Sequence, residues 1–342
     1  MLDPQARALL DLMIERQVPP VHTLGPVEAR RLYRERRSFT QPDALAVGEV
    51  RELQARGPHG AIPLRLYRPH ADADADLDAN VITVLPLLLY LHGGGWTIGD
   101  LDTHDVLCRQ LCLGSGAAVL AVDYRMGPEH PFPAAVDDAC AALRWARAQA
   151  GALGIDVARM AVGGDSAGGN LAAVLALIDR DGDRDGDRDG DRELDRDGDR
   201  EVVRDSPPLA FQLLIYPATD MRAVARSHLA NAQGYLLTAD SVAWYRGQYI
   251  ADPAQWADWR ASPLLAADLS RLPPALVLTA GFDPLRDEGR QYADALSAAG
   301  SVAQYVCFER QIHGFITMGR VIDEADTAVA LCAAALRRAF GA

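Results

Sequence analysis

Short apolar segments alternate with helical segments along this chain of 342 residues, and that alternation restricts the fold more than any other feature of the sequence. Most of the segments are apolar at nearly every position, so each one is expected to be a strand buried on both faces. The predicted strands comprise residues 81–92, 117–124, 159–165, 210–217, 274–281 and 302–309. Strands of this type, separated by helices, predict an α/β protein with a mostly parallel sheet covered by helices.

Two segments, residues 1–45 and 218–262, do not follow this alternation. Both have a helical pattern, and the second is rich in Trp and Tyr. Segments that leave the strand ends of an open parallel sheet lie where ligands bind. We therefore predict that the two segments together form a helical cap. The aromatic side chains are expected to form the core of this cap, to line the ligand pocket beneath it, or to do both.

The remaining residues are assigned to the core of the protein. Residues 46–217 form its first part, which opens with a predicted hairpin of strands at 46–69, and residues 263–342 form its second part. A C-terminal helix is expected from about residue 319.

An Asp-Gly-Asp-Arg repeat dominates residues 179–205, which contain almost no apolar side chains. Such a segment cannot bury enough apolar surface to offset the entropy of ordering, so we predict a low-complexity acidic insertion that is disordered or only weakly structured, at the end of the sheet away from the ligand-binding end. A calcium loop is the alternative, but Arg192 occupies the position where that loop needs a bidentate glutamate. No metal site is expected.

Glycines crowd around Ser166 in the stretch VGGDSAGGN, which lies between a predicted strand and a predicted helix. The motif G-x-S-x-G in this context indicates a nucleophilic serine on a sharp strand-to-helix turn. Such a turn admits only small residues two positions before and two positions after the serine, here Gly164 and Gly168. The start of the helix also offers free N–H groups to an oxyanion. On this motif alone, a glycine-rich turn with an incidental serine stays open.

A second glycine motif, HGGG at residues 92–95, directly follows a predicted strand. Successive glycines leave backbone N–H groups uncovered, as a lipase-type oxyanion hole requires in addition to the N–H after the nucleophile, here that of Ala167. A phosphate-binding P-loop would need a lysine, and the sequence contains none. His92 is interpreted as a structural residue that orients the loop.

A nucleophilic serine needs a histidine base and an acid that orients the base, and in hydrolases with this order of elements both follow the serine. Only His228 and His313 follow Ser166. His313 comes after the last predicted strand, where a base would overhang the sheet edge, whereas His228 lies inside residues 218–262. Asp283 directly follows a predicted strand and is the preferred acid. The alternative acids one helical turn later are Asp287 and Glu288.

The chain resembles bacterial esterases of the hormone-sensitive lipase family, within the α/β-hydrolase superfamily. The matching motifs occur in the family's order and are HGGGW (92–96), VDYRMGPEHPFPAA (122–135), GDSAGGNLAA (164–173), FQLLIYP (211–217), DPLRDEG (283–289) and IHGF (312–315). The resemblance implies an α/β-hydrolase fold with an eight-stranded, mostly parallel sheet flanked by helices and a helical cap. The implied catalytic triad and oxyanion donors are Ser166, Asp283 and His313, and Gly94, Gly95 and Ala167. Within 122–135, Arg125 and Glu129 are expected to make buried pairs.

The resulting hypothesis is a serine carboxylesterase that hydrolyses short- to medium-chain carboxylic esters through an acyl-enzyme, without metal or organic cofactor. An amidase, formamidase or deacetylase with the same triad stays open, because the shape of the pocket decides the leaving group. A non-catalytic ligand receptor on the same fold is the alternative from another class, and the presence of His313 disfavours it.

The net charge of −13 is concentrated in residues 71–79 and 179–205, so it indicates no partner, and no basic face for nucleic acid is found. The five cysteines contain no CxxC pair and are expected to be reduced thiols. The N-terminal pattern is that of an amphipathic helix, not of a signal peptide, and no apolar run reaches the ~20 residues of a membrane span. We expect a cytoplasmic monomer or homodimer that acts on small-molecule esters.

Overall fold

The structure, a computed structural model, describes residues 1–70, 84–185 and 207–341. Within these residues, eight strands form one sheet in the order β1-β2-β4-β3-β5-β6-β7-β8. The strands are β1 (Glu49–Gly57), β2 (Gly60–Arg68), β3 (Leu85–Leu91), β4 (Ala118–Val122), β5 (Ile155–Asp165), β6 (Phe211–Ile215), β7 (Ala275–Phe282) and β8 (Ala303–Ile312). Strand β2 runs antiparallel to both of its neighbours, and all other neighbouring pairs are parallel. The predicted mostly parallel, eight-stranded sheet is therefore confirmed.

Helices connect most of these strands and cover the sheet. The α-helices of the described residues are α1 (Pro4–Glu15), α2 (Pro26–Thr40), α3 (Asp105–Ser115), α4 (Ala134–Ala148), α5 (Ala150–Leu153), α6 (Ala167–Asp185), α7 (Arg226–Ala230), α8 (Ala239–Tyr249), α9 (Arg286–Ala298) and α10 (Glu324–Phe340). Short 3₁₀ turns occur at Val21–Thr23, Pro253–Ala257, Pro263–Leu265 and Phe315–Thr317. In this part of the chain, no helix has the length and apolar character needed to cross a membrane.

The sheet separates two apolar layers, because successive residues of a strand point to opposite faces. Leu87, Leu89 and Leu91 of β3 belong to the layer that contains α4, α6 and α9. Leu88 and Tyr90 belong to the opposite layer, which contains α3 and α10. Every residue of β4 is buried, which explains why its sequence AVLAV is apolar throughout.

The N-terminal helices attach to the core through a narrow apolar contact. Asp3 caps α1, since its side chain accepts hydrogen bonds from backbone N–H groups of the first turn. Each of the two helices begins with a proline, Pro4 or Pro26, a residue that is well suited to the first helical position. The buried residues of the two helices are Ala6, Leu10, Ala29 and Thr40.

The helical prediction for residues 218–262 is only partly right. Only α7, α8 and the 3₁₀ turn Pro253–Ala257 are helical, and irregular backbone connects them. Ala223 and Gly234 have φ angles of 56° and 87°. Both angles lie in the left-handed region, which ends a right-handed helix.

Two helix boundaries also differ from the predictions. Helix α10 begins at Glu324 and not near residue 319, because turns occupy the intervening residues. Helix α6 continues to Asp185, so the prediction of a disordered or only weakly structured insertion is wrong for residues 179–185. Here the guanidinium of Arg180 donates hydrogen bonds to two backbone carbonyls, those of residues 268 and 270. The rest of that prediction concerns residues that lie outside the described part of the chain.

Candidate active site

Ser166 lies on the predicted strand-to-helix turn, between β5 and α6. Its φ angle of 55° is left-handed, an uncommon conformation for a residue with a side chain. The surrounding backbone fixes this conformation, since Ser166 N–H donates to Ile215 O at 2.8 Å and Asn170 N–H donates to Ser166 O at 3.0 Å. The turn therefore holds the hydroxyl out at the carboxyl end of the sheet.

Two glycines make this turn possible because they leave room for one carbonyl group. A Cβ on Gly164 would lie 2.2 Å from Leu91 O, and a Cβ on Gly168 would lie 1.8 Å from the same oxygen. Neither distance is compatible with a side chain, and the obstacle is backbone that cannot rotate away. The requirement for small residues on both sides of Ser166 thus follows from its packing against the end of β3.

The structure brings together the three residues predicted as a triad. His313 Nε2 is 2.9 Å from Ser166 Oγ, and His313 Nδ1 is 2.7 Å from Asp283 Oδ2. Asp283 is fully buried, and its other oxygen accepts a hydrogen bond from Leu285 N–H at 2.8 Å. Because an ionised carboxylate only accepts hydrogen bonds, Nδ1 carries the proton and leaves Nε2 free to accept from the serine.

Side chains from residues 218–262 hold the loop that carries Asp283, a role that was not predicted. The Ser227 hydroxyl donates to Pro284 O at 2.6 Å, and the Asn231 amide donates to Asp283 O at 3.0 Å. Both acceptors are backbone carbonyls, which any residue type would supply. No sequence motif therefore marks these contacts.

The alternative acids occupy other sites. Asp287 accepts a hydrogen bond from Ser227 N–H at 3.0 Å. Glu288 is buried, accepts from Thr219 N–H at 2.7 Å and lies 2.6 Å from His228 Nε2. Burial raises the pKa of Glu288 above its ordinary value, although the contact with His228 opposes that effect. Of the three candidate acids, the one that contacts His313 is Asp283.

The glycine loop after β3 lines the same cavity as Ser166 and carries N–H groups that are unpaired among the described residues. Gly94 and Gly95 have φ angles of 118° and 59°, which favour glycine. Their N–H groups donate to no acceptor among the described residues. Ala167 is the first residue of α6, so its N–H has no acceptor within the helix.

Hydrogen bonds to two carbonyl groups fix the directions of these loop N–H groups. His92 Nδ1 lies 2.8 Å from Gly93 O, and the backbone N–H groups of residues 97–98 donate to Gly94 O at 3.1 and 2.9 Å. A peptide unit is planar and trans, so its N–H points opposite to its carbonyl. Holding the carbonyls of Gly93 and Gly94 therefore orients the N–H groups of Gly94 and Gly95.

Asp165, the variable residue before the serine, connects the turn to the glycine loop. Its buried carboxylate accepts from Gly93 N–H at 2.9 Å and from the Tyr90 hydroxyl at 2.7 Å, and His104 Nε2 lies 3.2 Å away. Burial opposes ionisation, yet His104 and Tyr90 hold the pKa of Asp165 below its usual value. Sequence reasoning missed this residue, although it is a charged residue at the carboxyl end of a buried strand, close to the edge where Asp283 also lies.

His92 lies beneath the loop and does not contact Ser166. Its ring is buried and stacks on Tyr124 with 4.3 Å between ring centroids. Burial, together with the nearby His104, lowers the pKa of His92 to about 4. His92 is therefore neutral at pH 7, and its Nδ1–H donates to Gly93 O.

A cavity of ≈ 1090 Å³ lies over Ser166 and His313. Its walls come from the glycine loop, from α1 and α2, and from α8 with the preceding loop. The side chains that α1, α2 and the turn between them contribute are mostly apolar, among them Leu9, Leu12, Met13, Leu24 and Leu32. Among the described residues, no cluster of His, Cys, Asp and Glu side chains could hold a metal ion.

The aromatic side chains of residues 218–262 are divided between this cavity and the packed interior. Tyr245 lines the cavity and packs so closely on Gly95 that a Cβ there would lie 2.3 Å from its ring. Tyr249 is buried and stacks on Trp96, with 4.8 Å between ring centroids. Trp256 packs under the guanidinium of Arg246 at 3.8 Å. The segment thus supplies both pocket wall and interior.

Arg125 and Glu129 of segment 122–135 have different environments. Arg125 forms a bidentate pair with Asp138, whose side chain is 1% exposed, as predicted. Glu129 pairs with Arg30 of α2, but its side chain is 48% exposed. The prediction of a buried pair is therefore wrong for Glu129, because this residue lies at the outer edge of the contact with α2.

Residues 88–317 match the model of a protein family with the α/β-hydrolase fold. An ethyl acetate hydrolase of Pseudomonas putida is 39% identical over 98% of this chain and 99% of its own length. The carboxylic ester hydrolase LipN of Mycobacterium tuberculosis is 44% identical over 79% of this chain and 65% of its own length. A solved ester hydrolase from the metagenome of Lake Arreo, in complex with a bipyridine phosphonate derivative, is 40% identical over 100% of both chains, with a TM-score of 0.88. The similarity thus includes the segments outside the sheet.

Replacing Gly168 by Ala should disturb the turn that carries Ser166. The added Cβ overlaps Leu91 O, so we expect a loss of about 1–3 kcal/mol in the free energy of unfolding and a lower kcat. The matched control is Gly247→Ala in α8, where nothing lies within 4 Å of the added Cβ and the helix should gain up to about 1 kcal/mol. Denaturant unfolding of both variants checks this, and equal effects would contradict it.

The buried His92 should make stability depend on pH. Its pKa is about 4 in the folded state and near 6.5 when unfolded, so between these values the unfolded chain binds the additional proton. The free energy of unfolding should therefore fall as the pH decreases from 6.5 to 4, by up to about 3 kcal/mol from this residue. Denaturant unfolding across this range should show a shallower fall in His92→Asn. Parallel curves for the two proteins would mean that His92 is not the group responsible.

Proposed function

This chain belongs to the α/β-hydrolase family and is a carboxylic ester hydrolase, and on that premise we propose that it cleaves esters through a covalent acyl intermediate on Ser166. The observation that supports this assignment most is the chain of two hydrogen bonds from Ser166 through His313 to the buried Asp283. A serine hydroxyl is a weak nucleophile until a base within hydrogen-bond reach removes its proton. The distances from His313 to Ser166 and to Asp283 support His313 as this base, with Nδ1 protonated.

In the proposed mechanism, Ser166 Oγ attacks the ester carbonyl while His313 Nε2 takes the hydroxyl proton. The carbonyl π electrons move to oxygen, and Asp283 stabilises the imidazolium that forms. The oxyanion then returns its electrons, the C–O bond to the alcohol breaks, and His313 protonates the departing alkoxide. Water, deprotonated by His313, repeats the same steps on the acyl-enzyme and releases the acid and the free serine.

We assign the oxyanion hole to the N–H groups of Gly94, Gly95 and Ala167. Within the described part of the chain these groups have no acceptor, and two of them have directions fixed by neighbouring carbonyl contacts. Donors that are oriented before the reaction need no reorganisation when negative charge develops on the carbonyl oxygen.

The size and lining of the cavity support the proposal that the substrates carry short to medium acyl chains. Its volume of ≈ 1090 Å³ is at the upper end of ordinary ligand pockets, and apolar side chains of α1 and α2 line it. We propose that residues 1–45 and 218–262 act as the cap that encloses the acyl group. The sequence motifs further support assignment to the hormone-sensitive lipase branch of the family.

We also propose that the enzyme works in the cytoplasm, where the five cysteines, all free thiols in the structure, would stay reduced. The oligomeric state, monomer or homodimer, stays a prediction.

Ser166→Ala and His313→Ala should each keep the fold and lower kcat by about 10⁴–10⁶. The double variant should lose little more than either single variant, because nucleophile and base act as one unit. The measurement is kcat on p-nitrophenyl butyrate, with circular dichroism as the control for folding. If the two losses multiplied in the double variant, His313 would not be the base for Ser166.

The same assays on anilides matched to the esters distinguish the ester hydrolase from an amidase with an identical triad. We expect kcat/KM to be higher for every ester than for its anilide. Faster cleavage of the anilides would contradict the ester assignment while leaving the triad in place.

Leu32→Trp should shorten the range of acyl chains that the enzyme accepts. Leu32 of α2 lines the cavity, and the larger ring would fill apolar space that a longer acyl chain needs. We expect kcat/KM for p-nitrophenyl octanoate to fall at least about tenfold, with little change for the acetate. The control is Val27→Trp, since Val27 on the same helix is 75% exposed. Equal behaviour of the two variants would show that α2 does not wall the acyl site.

A further inference from the structure

We propose that Arg30 is a positioning residue for the oxyanion hole. Through Arg30, the docking of helix α2 affects the rate of acyl transfer. The proposal rests on the assignment of the Gly94 and Gly95 N–H groups as oxyanion donors. Arg30 lies outside the cavity wall and contacts neither Ser166 nor His313, so an effect on catalysis acts through the loop and the helix that it holds together.

One face of α2 binds the segment that continues from the glycine loop, residues 97–103. The side chains that make these contacts recur at helical spacing, and Gln41 directly follows the last helical residue. They are Arg30 to Thr97 O, Arg34 to the Asp100 carboxylate, Arg37 to Asp102 O and Gln41 to Thr103 O. We call these four residues the loop-binding face of α2. They follow the loop segment in register, so α2 and the segment should move as one unit.

Arg30 is the member of this face nearest to the glycines. Its Nε donates to Thr97 O at 2.7 Å, and its Nη2 donates to Gly127 O at 2.8 Å. The same guanidinium forms two hydrogen bonds of 2.8 and 2.6 Å with the Glu129 carboxylate. Arg30 is thereby held on one side by an ion pair and joins two loop carbonyls on the other.

Thr97 transmits this contact to the proposed oxyanion donors. Its N–H donates to Gly94 O at 3.1 Å, and its hydroxyl donates to Gly95 O at 3.0 Å. The carbonyl of Gly94 shares a planar peptide unit with the N–H of Gly95, so a displaced Thr97 would rotate that N–H. The second carbonyl bound by Arg30, that of Gly127, belongs to a residue whose own N–H donates to Trp96 O at 2.8 Å.

The ion pair that anchors Arg30 is present over the whole working range of an esterase. The hydrogen bonds from Arg30 lower the pKa of Glu129 to about 2. A charged donor forms stronger hydrogen bonds to carbonyl oxygens than a neutral donor does, and its planar fork can reach two acceptors at once. Lysine would keep the charge but could not reproduce this geometry.

The experiment compares Arg30→Gln and Arg30→Lys with the wild-type protein on p-nitrophenyl acetate and butyrate. Loss of an oxyanion donor costs about 10²–10³ in kcat, so a donor that is misdirected but still present should cost about 10- to 100-fold. We expect that loss for Arg30→Gln with KM changed less than about twofold, because the donors act mainly in the transition state. For Arg30→Lys we expect a kcat between that of Arg30→Gln and that of the wild-type protein.

Arg31→Gln is the matched control on the same helix. Arg31 is about half exposed, and its partners among the described residues are Glu28 and Glu35 of α2 itself. We expect unchanged kcat and KM for this variant. Melting temperatures of all variants are measured so that every kinetic assay is run well below unfolding.

A melting temperature that falls in Arg30→Gln while kcat stays at the wild-type value would overturn the proposal, since Arg30 would then only stabilise the fold. If Arg30→Gln does not fold, Arg30→Lys decides, and an unchanged kcat in that variant would also overturn it. Ser166→Ala, assayed in parallel, separates this result from the proposed function. An active Ser166→Ala would refute the mechanism itself, whereas an inactive one beside a normal Arg30→Gln would refute only the role of Arg30.

Discussion

The carbonyl oxygen of Leu91, at the end of β3, occupies space that side chains on Gly164 and Gly168 would otherwise fill. This contact determines the distance between the end of β5, the start of α6 and the glycine loop. Because the loop begins directly after Leu91, the same contact fixes how close the loop lies to Ser166 and Ala167. Any side chain at either glycine would separate the nucleophile from the proposed oxyanion donors, so the arrangement depends on this packing of backbone against backbone.

Much of the fold and of the triad could be predicted because the relevant signals are local or topological. Glycines on both sides of Ser166 mark a turn that admits nothing larger, and an aspartate directly after a buried strand marks the carboxyl edge of the sheet. Parallel strands bring such edges together, which explains why Asp283 and His313 meet Ser166 although they are 117 and 147 residues away in the sequence. Strands β3 to β7 were predictable because most of their residues are buried on both faces of the sheet.

The parts that were missed depend on contacts between side chains and backbone carbonyls. Ser227 and Asn231 support the Asp283 loop, and Arg30 supports Thr97, but a carbonyl group is present in every residue and gives no signal in the sequence. The prediction of helix throughout residues 218–262 was only partly right for a related reason. Its backbone bends at Ala223 and Gly234, and the segment holds the Asp283 loop through polar contacts in place of continuous helix packing. Composition alone does not distinguish polar residues on the outer face of a continuous helix from polar residues that bind a neighbouring loop.

The attachment of α2 also explains how one helix can serve both the cavity and the proposed oxyanion hole. Only Ala29 and Thr40 of α2 are buried, so most of its docking is polar, and exposed ion pairs such as that of Glu129 contribute about 0–1 kcal/mol each. Docking of this strength allows the helix to shift without disruption of the sheet, whose two apolar layers are continuous without it. Leu32 on one side of α2 faces the cavity, while Arg30 on another side binds the glycine-loop segment. An acyl chain that displaces the helix would therefore displace the donors as well, and selectivity for acyl length would be expressed in kcat and not in binding alone.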